Sequence, residues 1–394
     1  MLTTELISLV IKDQENSIST EHTIPREKSV HQNSKRVIVV SGVRRCGKST
    51  FLKQINKDKN VLSLNLEDNR LEGFTQADFN RVETIARNTN KELIILDEVQ
   101  NIPEWEKYVR SANERGVQLQ ITGSNASMLS RELGTKLTGR YQQIELFPFS
   151  FGEFLLYTSE TAGSESLKKY IDHGGFPEYL ATKEPDYLRT LLRDIVMRDI
   201  AVRRDIKNEH YLLRLAVNLL SNIGKEFSYN NLTKTLEIKS VRTTIDFCDY
   251  LKESYLIDLL PKFSYSIHKQ QANPKKAYCI DTAMAAANSL SFSKDMGRML
   301  ENTVFLALRR KYQDICYFND GKNECDFLIK EKDEIILAVQ VCAKLTPDNL
   351  KREVQGLKAA MQESKCSNGI ILTLDQKDET ENIQIIPAWE WMLK

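Results

Sequence analysis

The residues with the clearest chemical meaning form one short run, Gly42-Val43-Arg44-Arg45-Cys46-Gly47-Lys48-Ser49-Thr50. Its spacing fits G-x-x-x-x-G-K-[ST], a loop whose backbone curls around a chain of phosphates. Gly42 and Gly47 allow the tight curl that turns N–H groups toward an anion. The apolar run Val37–Ser41 before it predicts a strand, and Ser49 to Ile55 predicts a helix whose positive N-terminal end completes the cradle. In that setting Lys48 reaches the β- and γ-phosphates and the Ser49 hydroxyl binds Mg²⁺, so ATP and Mg²⁺ are the expected ligands. Cys46, inside the loop and near Lys48, is expected to be an accessible thiolate that bound ATP protects.

A second apolar run, Leu93-Ile94-Ile95-Leu96, ends in Asp97-Glu98. Asp97 is placed to hold Mg²⁺ at a strand end, and Glu98 to orient the attacking water. Asp97 lies 49 residues beyond Lys48. That leaves room for one strand, Val61 to Leu66, expected between the phosphate-loop strand and the acidic strand. Such an order, with the adjacent Glu, marks the ATPase branch of phosphate-loop proteins. The guanine-reading N-K-x-D run is absent. The next run ends in Thr122-Gly123-Ser124-Asn125, where Ser124, or Asn125 as the alternative, contacts the γ-phosphate and water. Leu137-Thr138-Gly139-Arg140 follows. Arg140 is either a transition-state arginine, in its own subunit or a neighbour's, or a solvated surface residue.

The elements that must position these groups follow from the pattern of the chain. Short β-branched runs at Val37–Val40, Val61–Leu66, Leu93–Leu96, Val117–Ile121 and Gln143–Leu146 alternate with helical stretches, the signature of a buried parallel sheet. The 394 residues carry 55 Lys+Arg against 54 Asp+Glu. That balance excludes a wholesale basic nucleic-acid coat, though not a local patch. A 41% hydrophobic content with only 16 Gly and 9 Pro argues for folded domains. No run reaches membrane-spanning length and the first residues lack the features of a signal peptide, so no membrane partner is expected. Seven cysteines without a CxxC fit reduced thiols in the cytoplasm. The expected division is a leader with a weakly amphipathic helix at 1–34, an ATPase core at 35–150, a helical extension at 151–204, a three-helix unit at 205–280 and a mixed α/β unit at 281–394.

Within 205–280, Ser228 and Ser240 are N-caps of successive helices, and a strand pair follows: the pattern of a winged helix-turn-helix. Its hairpin, Pro261 to Ala277, holds Lys262, His268, Lys269, Lys275 and Lys276 and no acid. Those cations suit DNA phosphates; a surface that packs on protein is the alternative. In 281–394, Glu301, Asp326 and the run Gln340-Val341-Cys342 have the arrangement of a restriction-endonuclease-type PD-(D/E)xK site. That chemistry needs paired carboxylates and a lysine, yet Gln340 and Cys342 stand where an acid and a lysine belong. Alternation along a strand places Lys344 on their face as a substitute. The expectation is a nuclease-like fold kept for binding, without cleavage.

Together these motifs resemble the prokaryotic AAA-type ATPases that carry a C-terminal domain of unknown function. The resemblance rests on Val40–Thr50, Leu96-Asp97-Glu98-Val99-Gln100, Ile121-Thr122-Gly123-Ser124, Gly139-Arg140, Glu145 to Phe154, Gly174-Gly175-Phe176-Pro177-Glu178, Val196-Met197-Arg198-Asp199-Ile200 and Tyr278 to Thr282. It continues through Glu301-Asn302, Asp326-Phe327 and Gln340-Val341. It implies ATP hydrolysis by a ring or other homo-oligomer. The expected fold is thus an α/β phosphate-loop NTPase domain, then a winged helix-turn-helix, then a restriction-endonuclease-like α/β domain. The leading reading is an ATPase that couples nucleotide state to a C-terminal module recognising DNA or a protein. An ATP-gated nuclease and a slow signalling or scaffold protein are the alternatives.

Overall fold

The computed structural model describes residues 2–16, 23–30, 36–125, 140–290 and 295–394. The chain divides into two compact units, 1–147 with 253–255, and 148–252 with 256–394. Among the described residues no helix is long and apolar enough to cross a membrane.

The first unit is built on five strands, β1 (Val37–Ser41), β2 (Val61–Asn65), β3 (Leu93–Asp97), β4 (Leu119–Gly123) and β5 (Tyr141–Glu145). They pair in the order β2-β3-β4-β1-β5, every pair parallel. β1, β3 and β4 are buried along their whole length, which is why they are apolar runs rather than alternating ones. The order corrects one expectation. The strand between β1 and β3 is β4, whereas Val61–Asn65 pairs outside β3 at the edge of the sheet. A strand does separate the phosphate loop from the acidic pair, but a different one.

Helix Thr4–Asn16 belongs to this core. Ile7, Val10 and Ile11 are buried in it at i, i+3 and i+4 spacing, while Leu9 faces solvent. Its Gln14 closes the edge strand: the side-chain oxygen accepts from Asn65 N–H at 2.8 Å and the amide donates to Asn65 C=O at 3.2 Å. Helices Asp78–Asn88 and Trp105–Glu114 supply Phe79, Val82, Trp105, Tyr108 and Val109 to the same core. Phe79 and Tyr108 stack with centroids 4.1 Å apart.

The second unit opens with helix Phe151–Thr158, started by a reciprocal Ser150/Glu153 capping box. Helices Ser164–His173, Pro177–Thr182 and Tyr187–Asp194 follow, then a π-helical turn region, Ile195–Val202. The turn between the second and third is fixed by a buried carboxylate. Asp281 accepts from Gly175 N–H at 2.6 Å and from Met284 N–H at 2.9 Å. Gly174 has φ 66, and a Cβ there would lie 2.2 Å from the Asp281 carboxylate. Gly174→Ala is therefore expected to combine overpacking with a left-handed strain, at least about 2 kcal/mol. Thermal denaturation should show a melting temperature about 4–8 °C lower. Gly163→Ala, at a position with no atom within 4 Å of the added carbon, should stay near the parent.

Helices Glu209–Ser221, Tyr229–Thr235 and Val241–Glu253 precede a small antiparallel sheet ordered β6-β8-β7, from Glu226–Phe227 (β6), Ile257–Pro261 (β7) and Lys275–Cys279 (β8). A short helix, Ile267–Ala272, interrupts the stretch between β7 and β8 that the sequence suggested as a plain hairpin. Helix Met296–Lys311 leads into six strands, β9 (Asp314–Asn319), β10 (Glu324–Glu331), β11 (Glu334–Val341), β12 (Gly369–Thr373), β13 (Asp378–Thr380) and β14 (Ile383–Pro387), ordered β13-β14-β12-β11-β10-β9. Helix Pro347–Ser364 buries Val354, Leu357 and Ala360 in a core with Leu328, Ala338 and Ile371.

Candidate active site

Because the first sheet is parallel throughout, Ser41, Asp97, Gly123 and Glu145 all finish at one edge. The loop after β1, the pair after β3 and the turn after β4 therefore meet there, the usual place for a ligand in an open α/β sheet. Gly42 makes the loop possible: a Cβ on it would sit 2.0 Å from the Leu146 carbonyl oxygen. The loop ends at Gly47, with φ 96, which opens helix Lys48–Ile55 without a side-chain cap. Its first N–H groups are thus left without a capping side chain, as a phosphate site requires.

Lys48 is 4% exposed. Its Nζ donates to the carbonyls of Gly42 and Val43, each at 3.2 Å, and lies 3.2 Å from Glu98 Oε1. Burial is the largest influence and opposes the charge, but the Glu98 carboxylate together with Asp97 and the other neighbours holds the ammonium above its ordinary pKa. For Glu98 the balance is the mirror image. Burial pushes the carboxyl up, while Lys48 and the Gln100 amide bring it down to about 2. Glu98 also has φ 53, a left-handed backbone at the turn after β3.

Asp97 is held from both sides. Ser49 Oγ donates to one carboxylate oxygen at 2.5 Å, and the Thr122 hydroxyl donates to the other. Burial, then the neighbouring Glu98 charge, raise this carboxyl above the usual range. A buried carboxylate and a hydroxyl oxygen side by side fit a hard divalent cation such as Mg²⁺. Thr122 also accepts from Glu98 N–H at 3.0 Å, so one hydroxyl ties the end of β4 to both acids. Thr122 was not among the predicted residues; a hydroxyl next to the end of a buried strand was the available signal. Ser124 is buried and its Oγ accepts from Gln100 Nε2 at 3.1 Å, and the same amide meets Glu98. Gln100 is the second missed residue, and its buried Oε1 has no hydrogen-bond partner among the described residues. Asn125 is buried beside Ser124 in the chain.

Three other loop residues have structural partners. Arg44 pairs with Glu67, bonding at 3.0 Å through Nη1. Arg45 has φ 66. Cys46 is corrected. Its thiol is fully buried, donates to the Leu146 carbonyl at 3.4 Å and is pushed up by burial, so it is not an accessible thiolate. Arg26 braces the same turn by donating to Cys46 C=O at 3.1 Å and Phe147 C=O at 2.6 Å. In an alkylation time course read by mass spectrometry, Cys46 should react at least about tenfold more slowly than half-buried Cys342, with or without Mg-ATP.

Arg140 also moves. It lies just before β5, whose Tyr141 pairs with Val37 at the start of β1. The phosphate loop leaves the opposite end, about 16 Å away at roughly 3.3 Å per residue. Arg140 is 59% exposed and 3.5 Å from Glu114. It does not reach the nucleotide edge of its own subunit. Leu137, Thr138 and Gly139 lie outside the described residues.

The second unit brings together part of the other predicted constellation. Glu301 and Asp326 meet, but around Lys276, which is 2% exposed. This corrects its assignment to a DNA-facing surface. Lys275 is half-buried and donates to Gln270 C=O at 3.0 Å; Lys269 and His268 remain exposed. Gln340 donates to Glu353 at 2.7 Å. Lys344 lies in a bend beyond the end of β11, so strand alternation does not carry it to the face of Gln340. Burial, then the Glu301 charge, push Asp326 up to about 8.

Residues 34–155 match the family described as "AAA domain". Residues 164–295 and 296–391 match two families, each described as a domain of unknown function. An uncharacterized protein of Methanocaldococcus jannaschii is 32% identical, over 98% of this chain and 95% of that one. One from Haemophilus influenzae is 29% identical, over 90% and 94%. Among solved structures, the Aeropyrum pernix ORC1 protein in complex with DNA is similar at 10% identity and a TM-score of 0.29, covering 64% of this chain and 86% of that one. A score that low carries no argument about this chain.

Proposed function

This chain belongs to the family of AAA-domain proteins that carry C-terminal domains of unknown function, and from that premise we propose that it is an Mg²⁺-dependent ATPase whose C-terminal unit reads out nucleotide state. The observation that carries the reading is the buried Lys48, bonded to two loop carbonyls and Glu98 at the uncapped end of a helix. An ammonium in that position is ready to exchange those partners for phosphate oxygens.

Residues 42–50 cradle the phosphates through backbone N–H groups, with Lys48 on the β- and γ-phosphates. Ser49 and Asp97 are the residues that would hold Mg²⁺, which when bound neutralises charge on those phosphates. When Lys48 turns to the nucleotide, Glu98 loses its cation and is free to accept a hydrogen bond from water. In that state Glu98 orients the attacking water. Thr122 fixes the Asp97–Glu98 backbone. Gln100 joins Glu98 to Ser124, which gives the turn after β4 a direct route to the state of the γ-phosphate. Arg140, remote from its own nucleotide, is assigned to a neighbouring copy in a homo-oligomer.

The second unit is assigned to recognition, as a winged helix followed by a nuclease-like fold without cleavage. With Lys276 withdrawn from the surface, protein is favoured over DNA as the partner. Titration with a fluorescent ATP analogue should give one Mg²⁺-dependent site per chain; lack of saturable binding would refute the ATPase reading. DNA that stimulates turnover, with a salt-dependent affinity lowered by charge reversal at Lys262 and Lys269, would return the partner to nucleic acid.

A further inference from the structure

Glu98 follows β3 directly, and Gln100 comes two residues later, inside the short 3₁₀ turn Val99–Asn101. Val99 is buried in the core of the first unit, and that anchor brings Gln100 back over the end of β4. Gly123 leaves the space that the side chain fills: a Cβ there would lie 2.8 Å from Gln100 Oε1. A side-chain amide carries two N–H donors and one acceptor oxygen. Both donors are used here. Nε2 donates to Glu98 Oε2, and to Ser124 Oγ at 3.1 Å. The nitrogen has to face the carboxylate, because an oxygen in its place would be repelled. The acceptor is not used: Oε1 is buried and has no hydrogen-bond partner among the described residues.

Glu98 is therefore engaged at both oxygens. Oε1 lies 3.2 Å from Lys48 Nζ, and Oε2 accepts from Gln100. Turning Lys48 to the phosphates frees Oε1 only. Oε2, which shares the amide with Ser124, stays held, and loss of the cation strengthens that remaining charge-assisted bond. A water attacking the γ-phosphate has to sit between Glu98, which orients it, and the turn after β4. There it would give one hydrogen to Glu98 and the other to Ser124. The Gln100 amide already makes those two bonds, with two N–H groups in place of two O–H groups.

We propose, on the ATPase reading of this same site, that Gln100 is a positioning residue that acts as a brake: its amide stands in for the attacking water, and hydrolysis waits until it swings out. Gln100 is half-buried, so solvent is within reach of that movement. A buried carbonyl without a donor is costly, and the swing satisfies Oε1. Thr122 need not move, because it holds the Glu98 backbone N–H, at 3.0 Å, and not the Glu98 side chain.

Single-turnover hydrolysis of radiolabelled Mg-ATP by the full chain tests the brake, alongside ATP affinity from titration with a fluorescent analogue. Gln100→Ala should convert bound ATP about tenfold faster than the parent, the factor that one hydrogen bond to a charged group is worth. Its affinity should stay within a few-fold, so the rate moves and the binding does not. Gln100→Ser gives the same reading if the alanine variant does not fold. Adding Glu98→Gln to Gln100→Ala should abolish the gain, because the gain runs through the Glu98 carboxylate; a fast double variant overturns the proposal. So does a folded Gln100→Ala that is no faster than the parent at unchanged affinity, and a slower one makes Gln100 an aligner of the water instead. Where the parent converts ATP, that failure belongs to the brake alone. No conversion by the parent, Gln100→Ala and Gln100→Ser alike overturns the ATPase reading and the brake with it, whereas conversion by the Gln100 variants but not the parent supports both.

Discussion

Lys48→Ala is expected to lower ATP affinity by at least about 100-fold. Hydrogen bonds to charged groups contribute about 1.5–3 kcal/mol each, and Lys48 is assigned to two phosphates. The same change strips Glu98 of its counter-ion. Glu98 is only 14% exposed, and breaking one side of a buried pair costs about 3–5 kcal/mol. Lost binding could then be confused with lost structure. The double variant Lys48→Ala/Glu98→Gln separates the two, since it removes both charges together. It should recover much of the melting temperature and still fail to bind ATP by isothermal titration. Binding restored in the double variant would mean that Lys48 acts through the fold and not on the phosphates.

Glu98→Gln alone should leave ATP binding within a few-fold of the parent and reduce turnover by about 10²–10⁴-fold. Gln keeps the size and one acceptor oxygen but not the charge that orients water. It also releases Lys48 from its present partner, so ATP affinity should if anything rise. Phosphate release measured at saturating ATP gives the rate, and nucleotide retained after gel filtration gives the binding. Equal loss of binding and turnover would move Glu98 from the reaction to the construction of the loop.

The parts of this site that are local in the chain were legible without a structure. The loop 42–50 announces itself because its glycines, lysine and hydroxyl lie within nine residues, and buried parallel strands appear as apolar runs. What depends on pairing between distant segments was not legible. The position of β4 between β1 and β3 is set by hydrogen bonds across the sheet, and nothing in the spacing from Lys48 to Asp97 encodes it. Thr122 reaches Asp97 across 25 positions, and Gln100 reaches Ser124 across 24. Arg140 looked close to the site in sequence, but strand direction puts it at the far end.

Lys276 shows the same limit in its strongest form. Among four other basic residues and no acid, it has every local feature of a solvated cation. Its three carboxylate partners lie 25 to 50 positions later in the chain, beyond the reach of any local pattern. The opposite error is also present. Helix Pro347–Ser364 carries Leu350, Val354, Leu357 and Ala360 at helical spacing, a signal available in the sequence but absent from the expectations. β13 and β14 are short and were missed because three and five residues with polar neighbours hardly rise above a turn.

The central claim is that the edge formed by Lys48, Ser49, Asp97 and Glu98 hydrolyses ATP. A single-turnover experiment tests it most directly, with protein in excess over radiolabelled ATP and Mg²⁺ so that product release does not limit the signal. The account predicts conversion of the bound ATP to ADP and phosphate by the parent chain and essentially none by Glu98→Gln, although both retain nucleotide. No conversion by a folded parent that holds ATP, or conversion at the parent's rate by Glu98→Gln, would contradict it.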